Sequence, residues 1–226
     1  ERGALLARVW RAVGQAGVIT GCRMAEGELA LAQAAGLGSV HLSASTSPMQ
    51  IAAKYRKSPA QVLDMTRDVV ARAVDMGLVV SVGGEDASRA DSGFLADFVG
   101  MLGQAGARRF RYADTLGVLD PFATFEIMTW LRGQTELEIE FHGHDDYGLA
   151  TANTLAALRA GADVASVTVM GLGERAGNAP LEELALAAPR FLGCETRLDL
   201  RRLGQLASMV AQASGREIKE GKDVVG

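Results

Sequence analysis

The sequence predicts an α/β fold of the (β/α)8 TIM-barrel class. Three observations carry that expectation. Six short apolar, β-branched or aromatic runs each lead into a stretch of helical composition, with crossover lengths that suit right-handed βαβ units and a parallel sheet. Glu85, Asp114 with Thr115, His142 with His144, and Asn178 fall at the carboxyl ends of successive runs, and in a barrel those ends meet at one mouth. A length of 226 residues fits one undivided domain of this kind. Periodicity by itself is equally compatible with an open doubly wound sheet; the placement of the chemical residues favours the barrel.

In chain order, residues 1–14 read as a helix, with apolar positions at Leu5, Leu6, Val9, Trp10 and Val13. An apolar run from Val18 to Arg23 precedes a helix that begins near Glu28 and ends at Gly36, a residue suited to the position after a helix C-terminus. Ser39–Ser45 is the next strand. Ser47 and Pro48 open a long helical region, interrupted at Ser58-Pro59, where proline at the first helical position restarts a helix. Leu78–Val82 is a strand, with Gly83-Gly84-Glu85-Asp86 as its outgoing loop. Phe94–Gln104 is a helix, Arg109–Ala113 a strand, and Asp120-Pro121 caps a helix that runs to Arg132. The strand Leu137–Phe141 delivers the two histidines and is followed by a helix ending at Gly161. Val164–Met170 is the sixth strand, 180–193 a further helix, and the polar tail shows little pattern after Val210.

The net charge of −4 and 48% hydrophobic content lack the basic excess of a nucleic-acid binder. The two cysteines, Cys22 and Cys194, form no C-x-x-C pair, and each reads as a small buried apolar residue. Without a signal-like stretch or an apolar run of ~18 residues, a cytoplasmic, reducing compartment is expected.

The stretch from Glu138 to Gly148 concentrates the chemistry. Residues i and i+2 of a strand share a side, so His142 and His144 project together and can ligate one cation. The competing reading has them bonded to Asp145 or Asp146. Glu85 is a candidate for proton transfer, although Asp86 as a helix cap beside a solvated Glu85 fits the same residues. Thr115 can donate to a substrate carboxylate, while Asp114 and Thr115 also suit a turn and a cap. His41 is a candidate substrate contact, weighed against a packing role in its strand. Gly171-x-Gly173-x-x-Ala176 nominally matches a dinucleotide fingerprint. It follows the last strand instead of the first and places Glu174-Arg175 in the turn, which argues against a nucleotide. Asn178, beyond it, offers an amide oxygen to a hard cation.

Set side by side, His142-Gly-His144-Asp-Asp-Tyr-Gly148 and Gly171-Leu-Gly-Glu-Arg-Ala-Gly-Asn178, with Gly83-Gly-Glu-Asp-Ala-Ser-Arg89 and Tyr112-Ala-Asp-Thr-Leu-Gly117, give a chain that resembles the homocitrate synthase and 2-isopropylmalate synthase family. Val82-Gly-Gly-Glu-Asp-Ala-Ser-Arg-Ala-Asp91 is most similar to the nitrogen-fixation type of homocitrate synthase. The resemblance implies a cytoplasmic, homodimeric acyltransferase that condenses acetyl-CoA with 2-oxoglutarate and hydrolyses the thioester, with a divalent cation (Zn, Mn or Mg) as cofactor. It implies His142 and His144 as metal ligands, Asn178 on or near the metal, Thr115 on the oxo-acid carboxylate, and Glu85 in the catalytic polar network. Its partners would be small-molecule substrates, with no nucleic acid and no membrane.

Three departures from the family pattern bear on that expectation. The family's opening strand, with an Asp-x-x-x-Arg-Asp-Gly type motif, has no counterpart here, so the barrel is expected to lack its first two strands. Residues 1–193 are then a partial catalytic barrel and 194–226 the start of a truncated C-terminal extension. Ser81 also stands where lysine-pathway homocitrate synthases carry an arginine. Alternatives are a 2-isopropylmalate or citramalate synthase acting on another 2-oxo acid, a lyase or aldolase of the same superfamily, and, in a different class, an inactive barrel fragment with a structural or interaction role.

Overall fold

The computed structural model describes residues 17–218 and residue 224; the helix expected over residues 1–14 lies outside them. Six parallel strands alternate with helices, hydrogen-bonded in the order β1-β2-β3-β4-β5-β6. The chain is α/β, built of the βα units of a (β/α)8 barrel. Two compact units divide it, one of residues 1–113 with 131–139 and the other of 114–130 with 140–226.

In the first unit, β1 (Thr20–Cys22), β2 (Ser39–Ser45), β3 (Val79–Glu85) and β4 (Arg109–Asp114) follow one another in parallel register. The helices between them are α1 (Glu26–Ala34), α2 (Pro59–Asp75) and α3 (Ser92–Gln104). Val40, Leu42, Val80 and Val82 are buried and, at i and i+2, line one face of the sheet, whereas His41 and Ser43 on the other face of β2 are half-buried and exposed. The interruption at Ser58-Pro59 is a complete capping box: Ser58 accepts from the Gln61 N–H, and the Gln61 side chain accepts from the Ser58 N–H. Before it, the chain runs through a short α turn (Pro48–Gln50) into a π-helical turn (Ile51–Tyr55).

The Gly83-Gly84-Glu85 segment differs from expectation, because β3 continues through it to Glu85, paired with Ser43, Ala44 and Ser45 of β2. The glycines allow this by making room on opposite faces. A Cβ on Gly83 would lie 2.8 Å from His41 Nε2, and one on Gly84 would lie 2.8 Å from the ring of Phe110. Phe110 in turn packs edge-on against Phe98 at 6.0 Å, both fully buried.

In the second unit, β5 (Glu138–Gly143, entering from the first unit) pairs with β6 (Val164–Ser166), His142 lying opposite Ser166. Helices α4 (Pro121–Arg132), α5 (Ala150–Arg159), α6 (Leu181–Leu192) and α7 (Leu203–Ser214) follow in chain order. The N-terminus of α4 is capped by Asp120, which accepts from the Phe122 and Ala123 N–H groups at 2.8 and 3.0 Å. The sixth strand is shorter than the expected Val164–Met170. Thr168 donates its N–H to Ala179 and accepts from Leu181, which draws the chain away from β5 into a 3-10 turn over Val169–Gly171. The sequence names no helix beyond residue 193, but α7 lies there and runs past Val210, where the pattern weakens; Leu203 and Ala207, one turn apart, are its buried stripe. Cys194 is exposed where a buried residue was expected, Cys22 is buried, and both are free thiols. Among the described residues no helix is long and apolar enough to cross a membrane.

Candidate metal and substrate site

The second unit gathers His142 from the end of β5, and Thr115, His144 and Asn178 from the loops that follow β4, β5 and β6. His142 and His144 present their rings edge to face, with centroids 5.0 Å apart at 81°. The strand carries His142 to its end, and His144 then forms an isolated antiparallel bridge with Asn178. Flanking bonds hold that bridge: Asp145 donates its N–H to the Gly177 carbonyl at 3.0 Å, and Ala179 donates to the Gly143 carbonyl at 3.4 Å.

The glycines of the last loop are shaped around Asn178. A Cβ at Gly173 would sit 2.3 Å from Asn178 Nδ2, and one at Gly177 would sit 2.1 Å from the Gly171 carbonyl oxygen. The Asn178 amide donates Nδ2 to the Leu172 carbonyl at 3.0 Å. Side chain and backbone of this same loop thus close against its glycines, and the next helix starts only at Leu181, so no helix N-terminus follows the glycines directly. The glycines fold a loop onto an asparagine.

A divalent cation fits the donors present. His144 and Asn178 are both buried, and among the described residues the Nδ1 of one and the Oδ1 of the other have no hydrogen-bond partner. Buried polar atoms are ordinarily satisfied, and a cation is what these two, one imidazole nitrogen and one amide oxygen, can accept. Burial, and secondarily the Arg175 guanidinium, hold the His144 imidazole below its usual titration range against the opposing pull of Asp146, Glu174 and Asp114. The neutral ring so favoured is the form that ligates metals. Among the described residues no three His, Cys, Asp or Glu side chains are grouped to hold a metal, so two imidazoles and an amide form the candidate set.

The neighbouring carboxylates are engaged elsewhere. Asp145 Oδ1 accepts from the Ala150 N–H at 2.9 Å, in the first turn of α5. Asp146 takes a bidentate ion pair from Arg175, at 2.8 and 2.9 Å, which depresses its carboxyl below the ordinary range. Asp114 is fully buried and accepts from the Val118 and Leu119 N–H groups, each at 3.1 Å. It builds the turn that holds Thr115, and its own carbonyl accepts from His144 at 3.4 Å.

Glu85 and His41 belong to the first unit. Glu85 ends β3, and its carboxylate pairs with Lys54 Nζ at 2.5 Å, delivered by the π turn. Its carbonyl accepts from both the N–H and Oγ1 of Thr46, each at 2.9 Å. Asp86 caps no helix with its side chain. It is fully buried, accepts from Ser47 Oγ at 2.5 Å and pairs with Arg89 at 2.6 Å. His41 Nδ1 lies 3.0 Å from Ser81 Oγ, so the residue at the departing arginine position bonds a histidine of the neighbouring strand. Arg175 and Asp146 were absent from the sequence-derived site. The sequence signal for Arg175 was the charged pair Glu174-Arg175 in a glycine turn, and Asp146 entered only as a rival partner for the histidines.

Comparison with known proteins agrees with this architecture. The HMGL-like family model matches residues 4–210. The chain is 46% identical over 193 residues to homocitrate synthase 1 of Nostoc sp., covering 85% of this chain and 51% of that protein. It is 44% identical to 2-isopropylmalate synthase 2 of Caldanaerobacter subterraneus, covering 84% of this chain and 50% of that one. The chain thus spans about half the length of these curated relatives. The crystal structure of hydroxymethylglutaryl-CoA lyase from Pseudomonas aeruginosa superposes with a TM-score of 0.80 at 23% identity, over 97% of this chain and 77% of that one, which establishes likeness of fold.

Proposed function

The chain belongs to the HMGL-like family, and from that premise we propose that its protein is an acyltransferase condensing acetyl-CoA with a 2-oxo acid, 2-oxoglutarate first among the candidates. The products are then homocitrate and CoA. The observation that carries this reading is the pair of buried, unpartnered donor atoms on His144 and Asn178 beside His142. The relatives named as synthases support it.

His142, His144 and Asn178 are the residues that would hold the divalent cation. When bound, such a cation supplies Lewis acidity to a 2-oxo-acid carbonyl. Thr115 orients the oxo-acid carboxylate. Glu85, fixed by Lys54, belongs to the polar network that handles the proton lost from the acetyl methyl group. His41, on β2, is a substrate contact, bonded to Ser81 of the strand that ends in Glu85. The same reading places the protein in the cytoplasm as a homodimer, with residues 194–226 opening a C-terminal extension, and in the supply of homocitrate for nitrogen fixation.

The test is thiol release from acetyl-CoA by the intact protein, offered 2-oxoglutarate, 2-oxoisovalerate and pyruvate in turn. The assay is run after chelation and again after adding back Zn²⁺, Mn²⁺ or Mg²⁺. Turnover with 2-oxoglutarate that chelation removes is the expected result. Preference for 2-oxoisovalerate or pyruvate moves the substrate to the 2-isopropylmalate or citramalate type. Turnover indifferent to chelation overturns the metal site.

A further inference from the structure

Arg175 lies in the glycine loop after β6 and is held in the left-handed region, at φ 52°. A non-glycine residue there is uncommon. Its guanidinium spans two other loops: Nε and one terminal nitrogen clasp Asp146, at 2.8 and 2.9 Å, and that same nitrogen donates to the Thr115 carbonyl at 2.6 Å. The loops so joined already touch. A Cβ on Gly117 would lie 2.8 Å from the His144 carbonyl oxygen and 3.1 Å from both the N–H nitrogen and Oδ2 of Asp146. The turn Asp114–Gly117 is thus seated on the segment His144–Asp146, and Arg175 is bonded across the seam.

We propose that Arg175, with Asp146, is a positioning residue that fixes Thr115 and so sets affinity for the carboxylate of the 2-oxo acid, an inference that rests on the Thr115 role given above. Planar bidentate geometry makes the contact specific to arginine. Arg175 bonds Asp146 and the Thr115 carbonyl directly, so the clamp acts on the loop that carries the oxo-acid contact.

The experiment uses the intact protein with Arg175→Gly, Asp146→Asn and the double variant. Glycine accepts the left-handed conformation without strain, so Arg175→Gly removes the guanidinium while keeping the loop's backbone path; Arg175→Met and Arg175→Lys are run beside it. We expect the KM for the 2-oxo acid to rise about tenfold in each single variant and no further in the double, as for two partners of one interaction. The kcat and the KM for acetyl-CoA should stay within about twofold, and Arg175→Lys should recover only part of the loss. Amide hydrogen exchange at Gly117 and Val118 should quicken in Arg175→Gly, a readout independent of turnover. Additive effects, a raised acetyl-CoA KM in place of the oxo-acid effect, or unchanged exchange at Gly117 overturn the proposal. If the unmutated protein turns over no 2-oxo acid, the functional reading fails on its own, and the exchange measurement decides the clamp.

Discussion

His144 and Asn178 face one another across an isolated antiparallel bridge, and each ends in a buried atom that no described residue bonds. Two loops that follow different strands are thereby fixed in register at the level of the backbone. The Asn178 amide is also fixed, because Nδ2 is committed to Leu172.

Asn178→Ala should therefore weaken binding of a divalent cation while leaving the bridge intact, since the bridge is made by main chain. Loss of even an outer contact to a metal typically costs on the order of 10-fold to 100-fold in affinity, and a direct donor should cost at least that. Calorimetric titration with Mn²⁺ reads it directly. Native affinity in the alanine variant would remove Asn178 from the cation set.

Gly177 is the most constrained position of that loop. It has φ 105°, and an added Cβ would stand 2.1 Å from the Gly171 carbonyl oxygen. Gly177→Ala combines backbone strain of about 1 to 3 kcal/mol with a clash against main chain that no side-chain rotation relieves. The expected outcome is a lower urea midpoint together with loss of Mn²⁺ affinity, because the displaced carbonyl of Gly171 is the acceptor for the Asn178 N–H. Retention of both properties would show that the loop shifts freely and does not shape the site.

What could be read from the sequence was what depends on near neighbours. β2 and β4, the helix restart at Ser58-Pro59, the cap at Asp120 and the placement of His142 at the end of a strand all follow from local pattern. The misses arise where distant residues decide. Asp86 looks like a helix cap until Ser47, which precedes it by 39 residues, donates to it. Gly83-Gly84 resembles a loop because the side chains that require those glycines, His41 and Phe110, come from the flanking strands. The helix α7 was obscured by its small residues, and its buried stripe is narrow. Arg175 was seen as an obstacle to nucleotide binding; its partners Asp146 and Thr115 lie on other loops.

Asp114 should matter to stability even though it offers no free oxygen to a ligand. Both of its oxygens are used, on Val118 and Leu119, and it is fully buried. Asp114→Ala leaves two N–H groups without an acceptor, at a cost of about 2 to 4 kcal/mol. Asp114→Asn, which keeps one acceptor oxygen, should lose less. Equal losses in chemical unfolding of the two variants would mean that the negative charge, and not the pair of accepted bonds, is what the turn needs.

Glu138 opens β5 between two arginines. Arg108 donates to Oε1 and Arg109 to Oε2, each at 2.8 Å through a terminal nitrogen. Their hydrogen bonds, Arg108 first, hold the Glu138 carboxyl below the ordinary range despite partial burial. The folded state thus binds this proton less readily than the unfolded chain does. By linkage, the stabilising contribution is complete above the unfolded titration range and is lost as pH falls through the lower folded value. The native chain should accordingly exceed Glu138→Gln in unfolding free energy at neutral pH, by a margin reduced at high salt because Arg108 is largely exposed. That margin should shrink steadily once the pH drops below the range in which an unperturbed glutamate titrates. Urea unfolding of both proteins across the acid range measures it. A margin that stayed constant with pH would show that the two arginines recognise the shape of the side chain at residue 138 and not its charge.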